Sequence, residues 1–578
     1  MLLKVRAGMA AVALGLAMTL AACGGGGGGG GSNGGGGNPL PPPPPPPAPL
    51  TDAEAARFLT QATFGATDAD INAVKASGIS AWITQQEDLA PAGLHQTYVD
   101  NRLSQLKAID PKATLNSQQF YETFWGQAAV SQDQLRQRVK FALSEIFVIS
   151  LADNSIDVRG AASYYDMLGA NAFSNFRTLL ENVTLHPMMG VYLTSIANQK
   201  EDLSTGRHPD ENYAREVMQL MTIGLYRLNA DGTRQLDAGG APMPSYNADD
   251  ISNLAKVFTG ISWYSPTPNN NTFFGGNKNV DAAVTPMIFY PAFHSTSSKT
   301  FLGTTIAASG AADTAGDLKI ALDLIFNNPN VGPFISKQLI QRLVTSNPSP
   351  GYVGRVASVF NNDGAGVRGN MREVIRAILT DTEARDPTTA TGASYGKARE
   401  PIVRLGNWMR TFSVSSASGN YLINSTSAST SFGQSPLTAG SVFNFYRPGY
   451  IPANTRVGGQ GLTAPEFQIV DEITVAGYLN TMLNTINNGI GSANDIKSTY
   501  SSEVAVANDP NALVDRMNRL LLYGQMSATL RSKIVEAVTA VTIPGGAATQ
   551  AQIDAALLNR AKLAVFMTMA SPEYIIQR

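Results

Sequence analysis

The chain of 578 residues contains one cysteine, Cys23, and four histidines, His95, His186, His208 and His294. A single cysteine excludes an intrachain disulfide and any zinc or iron–sulfur centre built on several thiolates. No thiol-ligated metal is therefore expected, and a metal would have to rest on imidazoles and carboxylates. The four histidines never form H-E-x-x-H, which excludes a zinc-protease helix of that kind. Charge is also scarce: 15% of residues are charged, and 42 basic against 44 acidic side chains leave a net charge of −2. Without a basic stripe, nucleic acid is not an expected partner. Beyond Cys23 no apolar run reaches the length of a membrane span.

What is present begins with "MLLKVRAGMAAVALGLAMTLAAC". Lys4 and Arg6 form a positive n-region, and Ala10–Leu20 an apolar run too short to remain as a span. Leu20-Ala21-Ala22-Cys23 resembles a bacterial lipobox, so residues 1–22 read as a lipoprotein signal peptide and Cys23 as the lipidation site. Gly24 supplies no acidic retention signal, and the resemblance to bacterial lipoproteins then implies the outer membrane, with the lipid as the membrane contact. Residues 23–50 form a tether, a Gly-rich coil followed by the proline run "PLPPPPPPPAPL", which favours polyproline II.

Residues 51–578 read as a mainly α, large multi-helix globular body with long surface loops and few short strands, either one domain or two lobes. Thr51 and Glu54 stand in capping-box spacing, and Asn247 is a second N-cap. In "DQLRQRVKFALSEIFVIS" an apolar stripe runs from Leu135 to Ile149, with Arg138 and Glu145 together on another flank. "DLKIALDLIFNNPNVGPFISKQLIQRLV" predicts two helices broken at Asn-Pro and Gly-Pro. Strands are expected only at "GLYRLN" and around Tyr446. The loops "YSPTPNNNTFFGGNKN" and "SVSSASGNYLINSTSASTS" are long enough to be functional or disordered.

Few motifs carry chemistry. "GASYG" has the spacing of a nucleophile elbow but no preceding apolar strand and no later histidine. Asp231 and Asp363 lie in Asn-x-Asp-Gly-type turns. Their glycines come too early for an EF-hand register, which leaves the two carboxylates as weak metal candidates. In "RHPDENYAREVMQLMTIG", Pro209, Asp210 and Glu211 suit a first helical turn, and Tyr213, Val217, Leu220 and Met221 form a core stripe. Asn212, Arg215, Glu216 and Gln219 share the opposite flank, a set that fits either a buried hydrogen-bond network or a cleft. With His186 and His294, these residues are the candidate catalytic groups for acid–base or metal-assisted work.

Several longer stretches resemble the bacterial family called domain of unknown function 1800. They are "RFLTQATFGAT", "LRQRVKFALSEIFVIS", "ENYAREVMQLMTIG", "DISNLAKVFTGISW", "FHSTSSKTFLG", "GKAREPIVRLGNWMR", "GQSPLTAGSVFNFYRPGY" and the closing "SPEYIIQR". The resemblance covers essentially everything after the tether. It implies an exported protein working beside an exported sulfatase- or phosphatase-like partner of the family called domain of unknown function 1501, and carries over no reaction. The resulting expectation is a lipid-anchored envelope protein with a structural or interaction role. Its alternative is an exported hydrolase using carboxylates and histidine, with or without a metal.

Overall fold

Local capping chemistry sets where the helices of this protein begin. In the computed structural model, which describes residues 49–578, Thr51 Oγ1 accepts the Glu54 N–H at 3.2 Å while Glu54 Oε2 accepts the Thr51 N–H at 2.8 Å. Helix Asp52–Ala62 starts from this reciprocal pair, as the sequence predicts. Asn247 and Asp250 do the same for helix Ala248–Val257, whose exit at Gly260 needs φ +71°, a left-handed value that glycine adopts freely. The signal segment, Cys23 and the tether up to residue 48 lie outside the described residues.

The body is mainly α: of the described residues 52% are helical, with 25 α-helices, against 5% strand. Among the described residues there are eight strands, each two or three residues long, and they pair as four separate antiparallel two-stranded pieces. The expected strand at Gly224–Asn229 is reduced to isolated bridges, Tyr226 with Pro244 and Leu228 with Arg234. The Asn330 side chain adds to these, donating to the Ile223 and Tyr226 carbonyls and accepting from the Leu228 N–H. Around Tyr446 there is no strand; turns carry that segment instead.

Two helix boundaries differ from expectation for simple reasons. Gly332-Pro333 does not break the chain but lies in the first turn of helix Val331–Leu343, where proline's missing N–H costs no hydrogen bond. Helix Asn212–Gln219 starts after Asp210 and Glu211; Asp210 Oδ1 accepts the Asn212 N–H at 2.8 Å, so these residues lead into the helix and Pro209 precedes it.

Residues 49–578 form one compact unit. The chain's last residues close it: strand Ile576–Gln577 pairs with Lys397–Ala398, Gln577 donates to the Leu343 carbonyl, and Arg57 donates to the Arg578 carbonyl. Helix Gln134–Ser144 is buried along its whole length, including Arg136, Arg138 and Lys140. A helix buried all round is normally apolar all round. This one must therefore satisfy its polar side chains internally, and that requirement creates the polar centre described below. The long Ser-rich loop is gathered on one carboxylate: Asp495 accepts from Ser416 Oγ, the Ser418 N–H and the Leu422 N–H. Among the described residues no helix is long and apolar enough to cross a membrane.

Candidate functional site

The residues singled out in the sequence are distributed over several local environments. Arg215 is exposed and pairs with Glu211 at 3.1 Å. Asn212 reaches Thr194 Oγ1 at 3.4 Å, and Gln219 Oε1 accepts from Tyr246 OH at 3.3 Å. Glu216 is buried, and among the described residues its Oε2 meets no hydrogen-bond donor; burial raises its pKa against the opposing pull of Arg215. His186 caps helix Pro187–Tyr192, its Nδ1 accepting the Met188 N–H, and lies edge-on to Tyr164. Burial pushes its pKa down to about 3. Among the described residues no hydrogen bond or ion pair joins any two of Arg215, Glu216, His186 and His294.

His294 is fully buried in a different cluster. Its Nδ1 faces the Thr259 carbonyl at 2.7 Å and its Nε2 the Asp317 carboxylate at 2.9 Å. The same Asp317 oxygen is 2.8 Å from Lys299 Nζ, which also donates to the Ser295 carbonyl. Short strand Lys299–Phe301 is thereby fastened to helix Thr314–Asn327.

Asp231 and Asp363 have turn-forming roles. Asp231 Oδ1 accepts from the Thr233 N–H and hydroxyl. Asp363 accepts from the Ala365 and Val367 N–H groups and from the Asn370 side chain. These hydrogen bonds hold both carboxyls below the usual range, the Thr233 hydroxyl leading for Asp231 and the Asn370 amide for Asp363. Among the described residues no group of three or more His, Cys, Asp or Glu is arranged to hold a metal ion.

The densest convergence of ionisable groups lies at the end of helix Gln134–Ser144. Glu145 follows that helix; Arg342 comes from helix Val331–Leu343; Lys397 sits on a two-residue strand; Glu400 is the N-cap of helix Pro401–Thr411; Glu466 lies on the 3-10 turn Pro465–Ile469. All five are buried. Lys397 Nζ donates to the Arg342 carbonyl at 2.8 Å and stands 3.1 Å from Glu466 and 3.6 Å from Glu400. Arg342 donates to the Glu145 carbonyl at 2.8 Å, and its Nε lies 3.9 Å from the Glu145 carboxyl. Arg138 spans the gap by donating to the Arg342 carbonyl at 2.6 Å.

Glu145 and Glu400 are close enough for the charge of each to act on the other. Glu145 Oε1 accepts from Asn444 at 3.1 Å and Tyr446 OH at 3.0 Å, and Glu400 Oε2 accepts from Gln434 at 2.9 Å. The remaining oxygens are buried and have no hydrogen-bond donor among the described residues, but Arg342 Nε stands 3.9 Å from Glu145 Oε2 and Lys397 Nζ 3.6 Å from Glu400 Oε1. Burial, then the neighbouring Glu400 charge, raise Glu145 well above the usual carboxyl range. Burial also penalises ionised Glu400, but the Lys397 ammonium, Glu145 and Arg138 outweigh it and bring Glu400 down to about 2.

Sequence reading reached only the edge of this centre, through Arg138 and Glu145 off the apolar stripe. Lys397 and Glu400 stand before a helix-initiating proline, and Gln434, Asn444 and Tyr446 lie in an irregular segment. Apart from two charges on an otherwise core-forming helix, no local pattern marks them.

The fold and its centre define a mainly α protein assembled around buried ion pairs. The chain belongs to the family described as protein of unknown function (DUF1800), whose model matches residues 57–576. No curated protein and no solved structure matches it.

Proposed function

We propose that the chain is an exported, lipid-anchored envelope protein whose helical body docks an exported partner. The observation that carries this reading is the outer face of helix Glu472–Asn488. Tyr478, Met482 and Ile486 turn inward and are buried, whereas Ile473, Val475 and Leu483 are 57%, 47% and 42% exposed. Val475, Leu479 and Leu483 fall at four-residue spacing on one stripe, and Val470, Val475, Ala476 and Leu479 line an open hollow. A contiguous apolar helical face left in water is the usual mark of a contact surface.

The Cys23 motif supplies the tether, and the partner expected from the family resemblance is the sulfatase- or phosphatase-like exported protein. Docking would place an apolar helix face in a groove of that partner. Charged substitutions on this stripe test the reading. Val475→Lys and Leu483→Lys, both at exposed positions, are expected to leave thermal unfolding nearly unchanged and to weaken co-purification of the co-expressed partner by roughly tenfold or more each. Unchanged recovery of the partner by the folded double variant would contradict it.

A further inference from the structure

Residues 89–94, "LAPAGL", join helix Ile79–Asp88 to helix His95–Ile109 and run over the start of helix Gln134–Ser144. Leu89 and Leu94 are 37% and 51% exposed, so side-chain hydrogen bonds from the body, rather than core packing, hold this strap. Arg136 donates to the Leu89 carbonyl at 3.0 Å, and Asp133 accepts the Ala92 N–H at 3.0 Å. Gln127 donates to the Gly93 carbonyl at 2.6 Å. Where the strap enters its second helix, Asp166 accepts the His95 and Gln96 N–H groups, both at 2.9 Å. The last fastening is the His95 ring, fully buried, with Nε2 2.9 Å from Lys140 Nζ. A segment held by a few polar contacts, with its own apolar side chains in water, is one that opens locally.

We infer that this strap is an acid-released latch, closed while His95 and Lys140 carry no more than one positive charge between them and lifted by acid that supplies the second. Lys140 is buried among neutral partners: His95 Nε2, Gln127 Oε1 at 3.3 Å and the face of the Tyr165 ring at 4.7 Å. The contact between the two nitrogens needs one hydrogen, from the amine or from the ring, and cannot take two. An imidazolium opposite an ammonium would set two donors 2.9 Å apart with no acceptor between them. The ring's other neighbours are aromatic, Tyr165 at 5.1 Å and Phe120 at 5.8 Å between centroids. Such surroundings exclude a second, unpaired charge.

Charged groups on the surrounding helices do not relieve this. Asp133 stands 3.7 Å from Arg136, and Asp166 is committed to the N–H groups at the strap's end. Glu122 pairs with Arg102 at 2.8 Å, and Arg159 with Asp100 at 2.6 Å. Burial, then the Lys140 charge, hold the His95 ring well below its ordinary 6.5, and burial lowers the Lys140 amine to about 8. A lifted strap returns His95 to water, where it charges near its ordinary value, so acid below about pH 6.5 favours the open form. Asp166 works the other way, because burial raises its carboxyl and the closed form keeps that proton longer. His95 is the more deeply buried of the two and sets the net direction. An exported body, as proposed above, meets acid of that strength directly.

Amide hydrogen exchange on the purified protein tests the latch wherever the protein resides. The readout is the protection factor of residues 92–96, corrected for intrinsic exchange, against that of helix Val331–Leu343 in the same sample. Wild type is expected to lose protection in the strap by up to about tenfold per pH unit from about pH 6.5 to about pH 5, with the helix unaffected. His95→Gln, whose side-chain oxygen still accepts from Lys140 but does not titrate, is expected to show no acid loss. His95→Phe, a second non-titrating side chain that keeps the aromatic packing, is expected to show none either. Gln127→Leu removes a fastening that does not titrate, so protection is expected to drop by a constant factor while the acid slope stays. A wild-type profile that does not fall in acid, or an acid loss that persists in either His95 variant, would overturn the inference. Failure of both His95 variants to fold would overturn it too, because a strap's fastening is local.

Discussion

Glu400→Gln is expected to destabilise the protein by about 3–5 kcal/mol, whereas Glu145→Gln should cost less than about 1 kcal/mol. Both residues are buried glutamates, and their exposure alone would not separate them. The difference lies in what each leaves behind. Removing the Glu400 charge strands Lys397 with Glu466 as its remaining carboxylate partner and takes the anion from beside Arg138. Glu145→Gln keeps an acceptor for Asn444 and Tyr446 and gives up only a loose contact with Arg342 at 3.9 Å. Denaturant unfolding of the two variants at neutral pH measures the asymmetry, and equal losses would contradict it.

The directions in which burial and neighbouring charges move these carboxyls fix the sign of the pH dependence. Glu145 is raised above its ordinary 4.5, so the folded state holds the extra proton and stability falls as pH climbs from about 4.5 through the raised value. Buried Glu466 is raised too and contributes in the same direction. Glu400 is depressed, so its contribution is present above 4.5 and is lost as pH falls through about 2. The centre is therefore most stabilising in weak acid.

Asp317→Asn is the second large effect, again about 3–5 kcal/mol. One carboxylate oxygen meets both Lys299 at 2.8 Å and His294 at 2.9 Å, in a site where those two side chains are 2% and 0% exposed. An asparagine there leaves the Lys299 ammonium buried with only carbonyl partners, those of Ser295 and Ser297. Adding Lys299→Met removes the stranded charge, so the double variant is expected to recover part of the loss. A single variant as stable as wild type would show that the cluster is not a buried ion pair in solution. By contrast, Arg215→Ala breaks only an exposed pair with Glu211 and should change stability by less than about 1 kcal/mol.

Much of the fold was legible because its signals are local. The caps at Thr51 and Asn247 and the mainly helical periodicity each depend on residues within a few positions of one another. Misread boundaries came from residues with two uses: Pro333 ends helices in general but sits harmlessly in a first turn. The candidate helix Asn212–Gln219 was recognised as a polar flank, yet its members diverge between surface and core. The buried centre joins Glu145, Arg342, Lys397, Glu400 and Tyr446 across about three hundred residues of chain, and no spacing rule connects them. What betrayed it was a contradiction, charge on a helix whose remaining positions are core. A similar contradiction, apolar side chains on the outer face of helix Glu472–Asn488, marks the proposed contact surface.

The most direct test of the proposed role is fractionation of cells producing the full chain or its Cys23→Ala variant. A tethered envelope protein predicts wild type in the outer-membrane pellet, and the variant no longer held there by lipid and depleted from that fraction. Wild type recovered in the soluble fraction, or a variant that sediments with the membrane as fully as wild type, would contradict it.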